Sequence, residues 1–236
     1  MKTRGIIIII CLFLFSSCIV KSLNPFFTKE SIEFQKALLG KWEGKNKSTW
    51  DVIRIKDIYE QEKKDSTFNP SKEMLDFYKN YKDAYYISFL KEGDKDVEDG
   101  EIFVAVPFRV KEEILIDFIP YSLAGFGSSD LFENHLLKTH SLAKLEVLDT
   151  EKIKLTWLDN SKISDLYEQN KIRLKREIVG INSEDSDYVL SASSEELYKF
   201  LEKYISSDIE DKWASDTKYT LTLTACLLYT SPSPRD

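Results

Sequence analysis

Ile102-Phe103-Val104-Ala105-Val106-Pro107-Phe108-Arg109-Val110-Lys111-Glu112-Glu113-Ile114-Leu115-Ile116-Asp117-Phe118 reads as two extended runs folded back on each other. Ile102, Val104, Val106 and Phe108 recur at every second position, and so do Ile114, Ile116 and Phe118. Each run therefore presents an apolar face, as a strand does. Lys111-Glu112 between them is the turn of a hairpin. Pro107 has no N–H to give to a neighbouring strand, so it predicts an edge position or a bulge there.

The same period recurs on both sides of the hairpin. Residues 49–58 are rich in β-branched side chains, and 84–90 alternate Tyr85, Ile87 and Phe89 against Tyr86, Ser88 and Leu90. Ile153, Leu155 and Trp157 alternate with Lys152, Lys154 and Thr156; Ile172, Leu174, Arg176 and Ile178 alternate with charged residues; Tyr219, Leu221 and Leu223 alternate with threonines. About nine or ten short strands at this spacing predict a mainly β chain, a single antiparallel barrel or sandwich.

Helices are predicted between the strands. Over 28–39, Thr28 is an allowed N-cap, Phe27 and Ile32 form a hydrophobic staple, and Phe34, Ala37 and Leu38 share one side. Asn69-Pro70-Ser71 starts a second, with Met74, Phe77, Tyr78 and Tyr81 on a stripe, and 161–170 is a shorter one carrying Ile163, Leu166 and Tyr167. Ser193-Ser194-Glu195-Glu196 is a capping box, followed by Leu197, Phe200, Leu201, Tyr204 and Ile205 at helical spacing. The expectation is a barrel with two or three accessory helices.

The N-terminus carries a different signal. Lys2 and Arg4 precede an apolar run over 5–15, too short for a membrane-spanning helix of about 20 residues. Closing on Leu14-Phe15-Ser16-Ser17-Cys18, it resembles a bacterial lipoprotein signal peptide. The resemblance implies cleavage between Ser17 and Cys18 and diacylglycerol on the Cys18 thiol. Residues 1–17 are then a signal peptide, 18–30 a lipidated tether, and 31–225 the barrel-like domain. Ile19 stands where an acidic residue would, in that family, favour the inner membrane. The implied location is thus the cell envelope, at the outer membrane of a Gram-negative bacterium. Residues 226–236 resemble the translation of a transposase-based sequencing adapter, and the expectation is that they are not native.

Two further resemblances bear on the domain. Gly40-Lys41-Trp42, after a predicted short helix, is similar to the Gly-x-Trp that opens the first strand of lipocalin-like barrels, which implies that fold with Trp42 plugging one end. His140-Ser141-Leu142-Ala143-Lys144-Leu145-Glu146, the basic strand at 172–178 and the stretch 190–201 resemble a group of uncharacterised bacterial lipoproteins. That likeness implies architecture and location, and no activity.

Composition narrows the function classes. Thirty-three basic against 40 acidic residues give a net charge of −7, interspersed along the chain, so no basic footprint for nucleic acid is expected. The three cysteines are Cys11, Cys18 and Cys226, which leaves none between 19 and 225 for disulfides, thiol catalysis or metal ligation.

Candidate sites are few. His135 and His140 are the two histidines, with Asp130 and Glu133 nearby. Their spacing of five does not place both on one helical face, as a metal pair at i, i+4 would be, so a packed or hydrogen-bonded role is expected. Gly125-Phe126-Gly127-Ser128-Ser129-Asp130 lacks the Gly-x-Ser-x-Gly of a nucleophile elbow, and Asp130 stands where a dinucleotide fingerprint needs glycine. Aromatic residues make up 13% of the chain. Trp42, Trp50, Tyr85, Phe89, Phe108 and Trp157, with Phe103 and Phe118, either line a ligand pocket inside an open barrel or pack it as a core. Arg173 or Arg176 could lay a cation across Trp42, as lipocalin-like barrels do with a late arginine.

The expected function is a membrane-anchored, non-catalytic envelope lipoprotein without cofactor or metal, binding a small apolar or amphipathic ligand in the barrel. The alternatives are a protein-interaction module, either an envelope assembly factor or a hydrolase inhibitor, and a hydrolase using His135 or His140.

Overall fold

The computed structural model describes residues 19–44, 47–93, 100–122, 137–180, 187–214 and 220–225. Ser17, Cys18, the glycine loop at 125–129, Asp130, Glu133, His135 and the 226–236 segment lie outside the described residues. In chain order the elements are β1 (Lys21–Ser22), β2 (Gly40–Glu43), β3 (Thr49–Arg54), α1 (Ile55–Glu62), α2 (Lys72–Tyr81), β4 (Tyr85–Leu90), β5 (Glu101–Val110), β6 (Glu113–Ser122), β7 (His140–Val147), β8 (Lys152–Trp157), α3 (Asn160–Glu168), β9 (Arg176–Val179), β10 (Asp187–Leu190), α4 (Ser194–Ile205) and β11 (Thr220–Ala225).

The hairpin of the 102–118 stretch is β5–β6. Val110 pairs with Glu113 across Lys111-Glu112, with Lys111 at φ 55. From it the sheet extends antiparallel both ways: β5 to β4, β3 and β2, and β6 to β7, β8 and β11. Thr224 opposite Glu43 and Ala225 opposite Trp42 join β11 to β2. The result is a closed eight-stranded barrel of β2–β8 and β11 in which each barrel strand neighbours the one before it, an up-and-down arrangement, with β1, β10 and β9 continuing the sheet outward from β7. Gly40 opens β2 at φ 116, a conformation that side chains with a Cβ rarely adopt.

Two cores follow from the alternation. Inside the barrel, Trp42, Trp50, Tyr85, Ile116, Phe118 and Leu155 are among the residues of one buried cluster. Outside it, Val104, Val106, Phe108, Val110 and Leu115 belong to a second cluster, covered by Phe26, Leu197, Leu201 and Tyr204. The β5–β6 wall is thus buried on both faces. α4 supplies the outer cover through the stripe its capping box starts: Ser193 Oγ accepts from Glu196 N at 3.3 Å, and Glu196 accepts from Ser193 N at 2.9 Å.

Pro107 sits where β4 has already ended, since β4 pairs with β5 only as far as Tyr85 opposite Ala105. Its carbonyl accepts from Glu33 N at 3.0 Å on that side, so its missing N–H breaks no barrel hydrogen bond. The register shift lies elsewhere, between Ile102 and Phe103.

Several expectations are corrected. The 28–39 segment is not one helix but two 3-10 turns, Lys29–Ser31 and Lys36–Leu38. Ile32 between them bridges to Phe108, and Glu33 holds Arg109 through two bonds of 2.5 and 2.6 Å; pairing with the protruding end of β5 outweighs a weak local helix. The 49–58 run is a strand only to Arg54. It then turns into α1, a fourth helix, where Tyr59 stacks on Tyr78 of α2 at 3.9 Å. Tertiary packing overrides β propensity there. Of 172–178 only the end is a strand, and β7 and β10 are additional strands.

The segment expected as a tether is part of the folded body. β1 pairs antiparallel with β7 and parallel with β10, and Ile19 bridges to Asp159. Val20, Ser22 and Phe26 are fully buried. Apolar residues without periodicity were enough to fill gaps between elements.

Candidate functional site

The aromatic residues expected to line a pocket divide between the cores. Trp42, Trp50 and Tyr85 are buried inside the barrel, and Phe89 and Trp157 pack against them half-buried. Trp42 lies opposite Trp50, and Trp50 opposite Phe89 with ring centroids 5.3 Å apart, so three neighbouring strands form an aromatic ladder. Phe118 stacks on Trp157 at 5.4 Å. Phe108 points the other way, into the outer core against Phe27 at 5.9 Å. Leu38 and Phe34 cover the end where β2 begins. There the Trp42 Nε1 donates to Leu38 O at 2.9 Å, and the Tyr85 hydroxyl donates to Gln35 O at 2.9 Å. Trp50 Nε1 has no partner among the described residues. Arg176 does not cross Trp42; it lies over Tyr167 at 3.9 Å and faces Tyr188 at 5.3 Å.

His140 has a partner that the sequence reading missed. Its Nδ1 is 2.6 Å from Asp117 Oδ1, and the other Asp117 oxygen accepts from Phe26 N at 2.8 Å. Asp117 is 0% exposed and His140 7%. A carboxylate accepts, so the ring nitrogen donates to it. The pair clamps the N-terminal segment to the barrel wall between β6 and β7. Burial, reinforced by the Asp117 charge, pushes the Tyr81 hydroxyl up. The sequence signal was a lone aspartate inside Ile114-Leu115-Ile116-Asp117-Phe118-Ile119. None of the four clefts described for the surface has His140 in its lining. Among the described residues no group of three or more His, Cys, Asp or Glu is placed to hold a metal ion.

The most apolar of those clefts lies outside the barrel. It is a groove of about 420 Å³ between α4 and the irregular 171–174 segment that follows α3. Leu166, Ile172, Leu174, Phe200, Tyr204 and Ile209 form its floor and sides. Lys171 and Arg173 edge it on one side, Lys199 and Lys203 on the other. Lys199, Phe200 and Lys203 fall together because residues four apart share a helix face. Burial pushes the Tyr204 hydroxyl up and keeps it neutral, and it donates to Lys212 O at 3.1 Å. Sequence reading took 172–178 as a strand, and so did not bring its cations against α4.

Among the described residues no helix is long and apolar enough to cross a membrane. Comparison of the chain with protein-family models, with curated proteins and with solved structures finds no match.

Proposed function

We propose that this chain is a lipid-anchored, non-catalytic envelope protein, held to the outer membrane through Cys18 and binding a small amphipathic molecule. The up-and-down barrel supports the likeness to lipocalin-like proteins. Its interior, with aromatic rings in mutual contact and Leu38 and Phe34 over one end, supports a scaffold role and moves ligand binding to the outer layer. The observation that carries the reading is the fusion of residues 19–27 with that layer. Ile19 is bridged to Asp159 and Val20 is buried, so a lipid on the preceding residue would hold the folded body against the bilayer without a spacer. Two or three acyl chains anchor stably where one binds only marginally. The buried Asp117–His140 clamp supports a structural rather than a hydrolytic histidine.

Growth of a bacterium making the full chain in the presence of an alkyne fatty acid tests the anchor. The wild type should take up the label and the Cys18→Ser variant should not. An unlabelled wild type, or equal labelling of the variant, would overturn the lipoprotein reading.

A further inference from the structure

The groove between α4 and the 171–174 segment combines two features that otherwise oppose each other. Its floor is apolar, with Leu166, Leu174, Phe200 and Tyr204 contributing. Its rim carries Lys171, Arg173, Lys199 and Lys203, all exposed. Among the described residues none of these four has an ion pair, in a chain where acids outnumber bases 40 to 33. The one acid in the lining, Glu196, has its carboxylate committed to Ser193 N at 2.9 Å in the capping box. The site thus offers apolar contact below and an excess of positive charge at its rim, four cations to one carboxylate.

We propose that the groove binds a single-chain amphiphile with an anionic head, the acyl chain lying over Phe200 and Leu174 and the carboxylate or phosphate held between the two pairs of cations. A neutral head would leave the rim unused, and a cationic one would be repelled. The groove's volume of about 420 Å³ falls in the range of small-molecule sites, roughly 300–1,000 Å³. The position fits a ligand drawn from the bilayer. Ile19 bridges to Asp159, the N-cap of α3, and Leu166 lies seven residues further along the chain. At a rise of about 1.5 Å per residue the groove begins roughly 10 Å from the anchoring point. This inference rests on the reading of the protein as an amphiphile binder.

Photolabelling of the full chain in phosphatidylcholine nanodiscs with a diazirine analogue of palmitate tests it. The adducts should fall on peptides containing Leu174, Phe200 or Tyr204, and excess palmitate or dodecyl phosphate should compete. Competition by palmitate alone identifies a carboxylate ligand, and by dodecyl phosphate alone a phosphate one. The double variant Lys199→Glu/Lys203→Glu should lower labelling about tenfold, since each exposed ionic contact contributes roughly two- to fivefold. Both side chains are exposed, so circular dichroism should show an unchanged fold. Equal labelling by a diazirine fatty alcohol, unchanged labelling of the double variant, or competition by neither amphiphile would overturn the proposal. With the probe supplied in solution without nanodiscs, Cys18→Ser should label as the wild type does, so failure of the groove and failure of the anchor are read separately.

Discussion

Asp117 is the residue on which the outer layer turns. It is fully buried, on the outward face of β6, with His140 Nδ1 and Phe26 N as its two donors. Removing it leaves both donors without a partner in a closed interior. Asp117→Ala should therefore destabilise the fold by about 2–5 kcal/mol, read as a lower urea midpoint. A loss below about 0.5 kcal/mol, within the range of an ordinary surface substitution, would show that the clamp is not structural. A packed or hydrogen-bonded role was legible for His140, and the structure gives it the hydrogen bond. Its partner was not legible, because sequence proximity pointed to Asp130 and Glu133, whereas pairing β6 with β7 brings Asp117 across 23 positions.

At the scale of the element, α4 joins the two readings of the chain. Its sequence carries start signal and apolar stripe together, and the structure has both, with Leu197, Leu201 and Tyr204 buried on the barrel wall. The cap satisfies donors that a helix start otherwise leaves open. Ser193→Ala should cost about 1 kcal/mol, measured by thermal unfolding, while Ser193→Thr should restore most of it. Equal stability of wild type and alanine variant would mean that packing alone holds the helix start. The 28–39 and 49–58 segments went the other way. Their local patterns were short, and a backbone bridge to Phe108 in one case and the Tyr59–Tyr78 stack in the other decided them. The 172–175 residues alternate like a strand yet have none of the regular pairing that β9 makes with β10.

Over the whole molecule, the two cores share one alkaline weakness. Burial pushes Tyr85 inside the barrel and Tyr188 outside it up to about 12. An unfolded tyrosine loses its proton near pH 10, so between about pH 10 and 12 the unfolded chain binds fewer protons than the folded one. Stability is then fully present below about pH 10 and falls as pH rises towards 12, by about 2–3 kcal/mol for each of these tyrosines. Urea midpoints measured across that window should drop steeply, and less so in Tyr85→Phe. An identical slope in the variant would exclude Tyr85 as a contributor.

The sequence by itself determined the hairpin at 102–118, the mainly β character, the helix starts at Ser71 and Ser193, and a Trp42 at the head of the first barrel strand. The hairpin, the β character and the helix starts follow from side-chain period, turn residues and caps, which act over a few positions; the place of Trp42 was implied by the Gly-x-Trp resemblance. Only the tertiary structure decided which face of each strand looks inward. Alternation shows that a strand has faces, but β5 and β6 are covered on both sides, and closure of β11 onto β2 fixes their sense. That is why Phe108 was read with the pocket aromatics and belongs to the outer core. It is also why the 19–27 segment, without any period, became a buried part of that core. The groove belongs to the same class of fact. Its cations come from residues 171, 173, 199 and 203, and they share one site because α4 packs back onto the barrel wall.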